Sequence, residues 1–160
     1  IDIAYFCIGV YSGNEKKKKL YEITVDYLKT FANTVKKYSP DATFIFLSGM
    51  GADRTLKSKI TFANDKGIAE NYLLSENFKE LYIFRPGYIY STIPRIEPNI
   101  SKKIYKFLYP LMKIIMPNNV ITSEKLSYVM LHIGINKFKQ DTLENKEILD
   151  YLNLHKKTYK

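Results

Sequence analysis

The sequence predicts an α/β fold built on a parallel sheet, and two features predict it. Three short runs, Ile3–Ile8, Thr43–Leu47 and Leu81–Phe84, are apolar almost throughout, as strands buried on both faces are. Between them lie longer segments with helical spacing, the alternation that produces parallel strands joined by crossover helices. Such crossovers are right-handed in nearly all cases, so a doubly wound sheet is the simplest closure.

The elements follow in order. Ile3–Ile8 ends at Gly9, and a polar loop with Ser12, Gly13, Asn14 and the lysine run Lys16 to Lys19 follows. From Leu20 to Lys37, Ile23, Tyr27, Leu28, Phe31, Ala32 and Val35 recur at helical intervals until Ser39-Pro40-Asp41 breaks the pattern. Thr43–Leu47 is the second strand, Ile60–Leu74 the next helix and Leu81–Phe84 the third strand. Arg85-Pro86-Gly87 stops that strand, because proline cannot donate to the ladder. Beyond Tyr90 the pattern turns helical. A proline-punctuated loop, Ile93 to Asn99, leads to a helix carrying Ile104, Phe107, Leu108, Leu111 and Met112, capped by Ser101 and kinked or divided at Pro110. Ser123 is the expected cap of a further helix, with Glu124 in its dipole-favoured first turn, and Asn145–Leu152 is the last. The chain therefore reads as one partial domain, 1–160, with a strand-helix core over about 1–90 and substrate-side helices and a lysine-rich tail over 91–160.

Bulk properties exclude more than they assign. Hydrophobic residues at 46% and charged residues at 26% are ordinary for a globular chain. Net charge is +9, yet 22 of the 25 basic residues are lysine and only Arg54, Arg85 and Arg95 are arginine, a poor fit to base or phosphate readout. No nucleic-acid partner is expected. Cys7 is the single cysteine and is expected to behave as a small buried hydrophobe; His132 and His155 lack a ligand-spaced partner, so no metal site is expected. Without a signal peptide or an apolar stretch of about 18 residues, a cytoplasmic location is the expectation. The chain opens on an apolar run with no methionine before it, which reads as a truncated sequence.

Four motifs stand out, three at strand ends and one within the helix Ile60–Leu74. They are Tyr5-Phe6-Cys7-Ile8-Gly9, Leu47-Ser48-Gly49-Met50-Gly51-Ala52-Asp53, Asp65-Lys66-Gly67-Ile68-Ala69-Glu70 and Ile83-Phe84-Arg85-Pro86-Gly87. In this order and spacing they resemble the carboxyl-terminal part of the atypical short-chain dehydrogenase/reductases, a family of Rossmann-type NAD(P)-binding proteins. Ile121-Thr122-Ser123-Glu124-Lys125-Leu126 and Glu144-Asn145-Lys146-Glu147-Ile148 resemble its closing segments.

The resemblance implies a partial doubly wound Rossmann-type sheet binding NAD or NADP, with a small-molecule substrate. Ligands of open α/β sheets bind at the carboxyl ends of the strands. Cofactor-binding residues would be Gly9, Val10, Ser48, Lys66, Arg85, Pro86, Gly87 and Tyr88, with Lys66 and Ser48 as the surviving catalytic positions. Lys66 would hold the nicotinamide ribose and the backbone after Pro86 the carboxamide. Val10 stands where the family usually has threonine.

Two departures weaken the chemistry. The family's tyrosine acid lies one helical turn before the lysine, where this chain has Phe62, and a phenyl ring donates no proton. The serine that polarises the substrate carbonyl is replaced by Gly49. The Gly-rich phosphate loop is absent from this sequence, and by analogy roughly 60 residues would precede it. Ile3–Ile8 would then present an unpaired apolar edge. The fragment alone is expected neither to fold stably nor to bind a dinucleotide.

An oxidoreductase-like protein, acting as reductase or isomerase, is the leading functional expectation. A catalytically silent NAD(P)-binding regulator is the alternative. A third reading places Ile104–Met116, with Lys102, Lys103, Lys106 and Lys113, in a bilayer interface, against the plainer reading of a helix packed on the sheet.

Overall fold

The computed structural model describes residues 1–9, 16–92 and 100–155, and side chains throughout these except in 100–106. Four parallel strands form the central sheet in the order β1-β2-β3-β6: β1 (Ile3–Phe6), β2 (Thr43–Leu47), β3 (Glu80–Arg85) and β6 (Thr142–Glu144). β1 forms one edge, pairing Ile3 with Thr43 and Phe6 with Phe46. A second, two-stranded parallel sheet joins β4 (Tyr88–Tyr90) to β5 (Val120–Thr122).

The helices sort onto the two faces of the central sheet. α1 (Lys17–Tyr21), a π-helical segment (Glu22–Asp26) and α2 (Tyr27–Tyr38) form one nearly continuous rod after β1. The π segment accounts for a departure from the expected helix. Leu20 and Val25 are both buried though five residues apart, a spacing that the wider π turn brings onto one side. Leu28, Ala32 and Val35 then form the buried stripe, while Tyr27 and Phe31 are left partly exposed. With α3 (Thr61–Ser75) the rod covers Ala4, Phe6, Phe44, Phe46 and Ile83.

The opposite face is covered by α5 (Ser123–Asn136) and α6 (Asn145–Leu154), which bury Ile45, Tyr82 and Phe84 with Val129, Ile133, Ile148 and Leu152. Alternate residues of β2 and β3 thus feed opposite cores, the period-two rule of a strand covered on both sides. The segment beyond residue 90, expected to be helical, also contributes to the central sheet. It supplies β6 and the whole second layer, and β6 escaped the sequence pattern because three residues carry no readable period.

Several smaller differences have clear causes. The strand β1 ends at Phe6, and Cys7, Ile8 and Gly9 lie exposed beyond it, so Cys7 is not a buried hydrophobe. Thr122, not Ser123, caps α5, its hydroxyl accepting from the Lys125 amide at 3.3 Å. Glu144 and Glu147 form a capping box at the start of α6. The helix α4 (Ile100–Ile115) runs through Pro110 undivided. It packs beside β5 and the turn Pro117–Asn119, not on the central sheet. Ser101 lies inside α4, its side chain outside the described residues, as do Val10 and the loops around it and around Pro94.

Candidate functional site

The register of the strands aligns their carboxyl ends, because Phe6 pairs with Phe46 and Leu47 with Phe84. Gly9, Ser48-Gly49 and Arg85-Pro86-Gly87 therefore leave the sheet along one rim. The loops after β2 and β3 are tied directly, the Met50 amide donating to the Pro86 carbonyl at 2.9 Å. Gly87 is fixed from the far side. Its amide donates to Asn145 Oδ1 at 3.0 Å, and a Cβ there would lie 2.1 Å from the Asn119 carbonyl oxygen.

Lys66 lies beneath this rim on α3, only 4% exposed. Its ammonium donates to the Leu47 carbonyl at 3.1 Å and lies 4.7 Å from the Phe46 ring centroid and 5.9 Å from that of Phe62. Burial pulls the amine down to about 8, against the opposing pull of the Glu70 charge and of Cys7. Gly67, the next residue, is required by packing. A Cβ there would come within 1.9 Å of the Asp53 carbonyl oxygen, so α3 rests backbone to backbone on the loop after β2. Asp53 in turn folds that loop, accepting from the amides of Thr55, Lys57 and Ser58, and its carboxyl is held low chiefly by the Thr55 hydroxyl.

The strongest polar assembly is centred on Glu70, which is fully buried. Ser48 Oγ donates to its Oε1 at 2.6 Å, Arg54 Nε to its Oε2 at 2.6 Å, and Arg85 grips both oxygens at 2.9 and 2.5 Å. Arg85 continues to Glu144 at 2.8 Å, and Arg54 to Thr142 Oγ1 at 2.9 Å. Burial alone would raise the Glu70 carboxyl; the hydrogen bonds from Arg85 and Ser48 and the two guanidinium charges outweigh it and hold it below the usual carboxylate range. The Arg85 guanidinium is correspondingly raised, first by its bonds to Glu70.

Of the residues singled out by sequence, Ser48, Arg85 and Lys66 meet around the end of β2, with Pro86 and Gly87 beside them. The Ser48 hydroxyl donates to Glu70, and the Arg85 guanidinium is divided between Glu70 and Glu144. Tyr88 lies on β4, half-buried, with its ring 6.5 Å from that of Tyr109, and Tyr90 stacks on Tyr109 at 4.0 Å. Gly9 stands apart from this web, exposed, and a Cβ there would meet nothing within 4 Å.

Gly49 and Phe62, the two departures from the family pattern, lie close together. A Cβ on Gly49 would lie 3.3 Å from Phe62 Cζ. The partners Arg54, Glu144 and Thr142 have no sequence signature, since each lies far along the chain from Glu70. His132 and His155, distant in sequence, meet Tyr151 at the α5–α6 contact: His155 stacks on its ring, while His132 approaches it edge-on with Nδ1 2.8 Å from Tyr151 Oη. Among the described residues, no three histidine, cysteine or carboxylate side chains gather as a metal would need. No described helix is long and apolar enough to cross a membrane.

No family model matches the sequence. No curated protein matches it either. The fold is similar to the crystal structure of Helicobacter pylori ADP-L-glycero-D-manno-heptose-6-epimerase, with a TM-score of 0.60 over 96% of this chain at 11% identity. This chain spans 58% of the length of that one. At such low identity the likeness concerns the fold, and the fold is α/β, a parallel Rossmann-like sheet layered between helices.

Proposed function

We propose that the chain belongs to an NAD(P)-binding, oxidoreductase-like protein, with the nicotinamide half of the dinucleotide lying over the carboxyl ends of β1 and β2. The supporting observation is the position of Lys66, a buried amine at the rim where Gly9 and Ser48-Gly49 emerge. The residues present fit that half of the group. Gly9 leaves open space for close approach, and the Lys66 ammonium can exchange the Leu47 carbonyl for ribose hydroxyls. Among the described residues no Gly-rich turn opens a helix towards a pyrophosphate, so the fit concerns the nicotinamide side alone.

A bound dinucleotide would supply or accept a hydride. The chain's own residues would orient it: Lys66 on the ribose, the Pro86–Gly87 backbone on the carboxamide. Proton transfer is the weak point, because Phe62 carries no proton and Ser48 gives its own to Glu70. The Phe62 ring beside the bare Gly49, where a Cβ would come within 3.3 Å of it, also favours a second reading, a catalytically silent dinucleotide sensor.

Two measurements on the protein at its full encoded length separate these readings. Saturable binding of NADH or NADPH is expected, and its absence would sink both. Hydride transfer to a panel of carbonyls, quinones and flavins is expected only for the oxidoreductase. In the Phe62→Tyr variant, a restored acid one turn from Lys66 should raise carbonyl reduction by about a hundredfold, the usual worth of a positioned general acid. An unchanged rate would show that Phe62 does not occupy the acid's position.

A further inference from the structure

The geometry points to α4 as an interfacial anchor that lays the protein on an anionic lipid bilayer. The helix meets the rest of the described molecule beside β5 and the turn Pro117–Asn119, with Tyr109 stacked on Tyr90. Its opposite side is apolar and faces solvent: Phe107 is 84% exposed, Ile114 78% and Leu111 52%. These three stand at i, i+4 and i+7, one straight row on a helix, and Ile115 widens the row at 67% exposed. An amphipathic helix of a soluble domain turns such a row inward; here it turns away from the core. Contiguous apolar surface of this kind marks a docking site.

Charge identifies the partner. From Ile100 to Thr122 the sequence carries four lysines and no carboxylate, within a chain of net charge +9. Lys113 is exposed on α4 itself. Apolar side chains inserted to the acyl boundary with lysines at headgroup level are the chemistry of anionic-lipid binding. An apolar protein surface would need no such excess of positive charge. Length excludes a span: 16 residues at about 1.5 Å each reach roughly 24 Å, short of a hydrocarbon core of about 30 Å. The helix therefore lies in the interface plane. This inference stands on α4 alone and does not depend on dinucleotide binding.

The test is co-sedimentation of the full-length protein with vesicles of phosphatidylcholine and phosphatidylglycerol, mixed two to one, against phosphatidylcholine alone. Binding to the anionic vesicles is expected, weakened by salt and reduced about fivefold when the charge of Lys113 is removed in Lys113→Gln. The Phe107→Glu/Ile114→Glu variant should lose at least about tenfold in binding. Both substituted side chains are exposed, so its unfolding midpoint should match the parent's. Because the chain contains no tryptophan, Phe107→Trp adds a reporter whose emission should shift to the blue on the anionic vesicles. The proposal is overturned if the parent stays in the supernatant, if the double glutamate variant pellets as well as the parent, or if Phe107→Trp shows no shift. It is also overturned if the parent is a dimer that the glutamates dissociate while vesicles bind neither, since a second copy would then be the occupant.

Discussion

At the scale of single residues, the candidate site contains one group that works against the fold. Lys66 holds an ammonium with 4% exposure, and burial pulls it from an ordinary 10.5 to about 8. The unfolded chain therefore binds more protons than the folded chain between these values, so stability rises with pH across that window and carries the full penalty below it. A displacement of this size corresponds to a penalty on the order of 3 kcal/mol at pH 7. Lys66→Met removes the penalty but also the bond to the Leu47 carbonyl, so a net gain of about 2 kcal/mol at pH 7 is expected. The excess should vanish as pH approaches 10.5. Urea unfolding of both proteins at pH 7 and pH 10 measures it, and equal differences at the two values would refute the coupling. Glu70 contrasts with Lys66, since its charge is matched by Arg54 and Arg85 and it serves the architecture.

At the scale of elements, the glycines divide into those that packing demands and those it does not. α3 approaches the loop after β2 so closely that a Cβ at Gly67 would sit 1.9 Å from the Asp53 carbonyl oxygen. Backbone cannot yield as a side chain can, so Gly67→Ala is expected to destabilise by about 3 kcal/mol or more. Gly9→Ala, with open space at that Cβ, should stay within about 0.5 kcal/mol. Denaturant midpoints of the two variants check the pair; a mild Gly67→Ala would mean that α3 can slide. This contrast marks what was legible in the sequence. β1, β2, α3 and β3 were readable because four or more residues show a period or a continuous apolar run. β4, β5 and β6, three residues each, show neither. The rim of the site was readable through Gly9, Ser48 and Arg85-Pro86-Gly87, since strand ends follow from strand positions. The web around Glu70 was not, because the partners Arg54, Thr142 and Glu144 are brought together by the sheet and not by spacing. Neither was the outward turn of α4, since the period of a helix gives its apolar side but not the direction that side faces.

At the scale of the whole molecule, two hydrophobic cores share a sheet one strand thick. Phe44 and Phe46 of β2 belong to the core under α2 and α3, whereas Ile45 between them belongs to the core under α5 and α6. Ile83 of β3 likewise faces the first core, with Tyr82 and Phe84 facing the second. Losing either helical layer would expose one side of the same strands, so neither core can melt while the other keeps its register. In the protein at its full encoded length, these layers should therefore unfold as one cooperative unit. Phe44→Ala on one face and Ile148→Ala on the other, both completely buried, should each cost about 3 kcal/mol. Each should move the same single transition, with far-ultraviolet and near-ultraviolet circular dichroism coincident. The double variant should lose nearly the sum, because the two side chains touch opposite sides of the sheet and share no packing partner by cluster. If Ile148→Ala instead produced an early phase that removed part of the helical signal while the aromatic environment around Phe44 and Phe46 persisted, the layers would be separable. The carboxyl-terminal layer would then be a detachable cover, and its contribution of β6 to the sheet would not be what unites the fold.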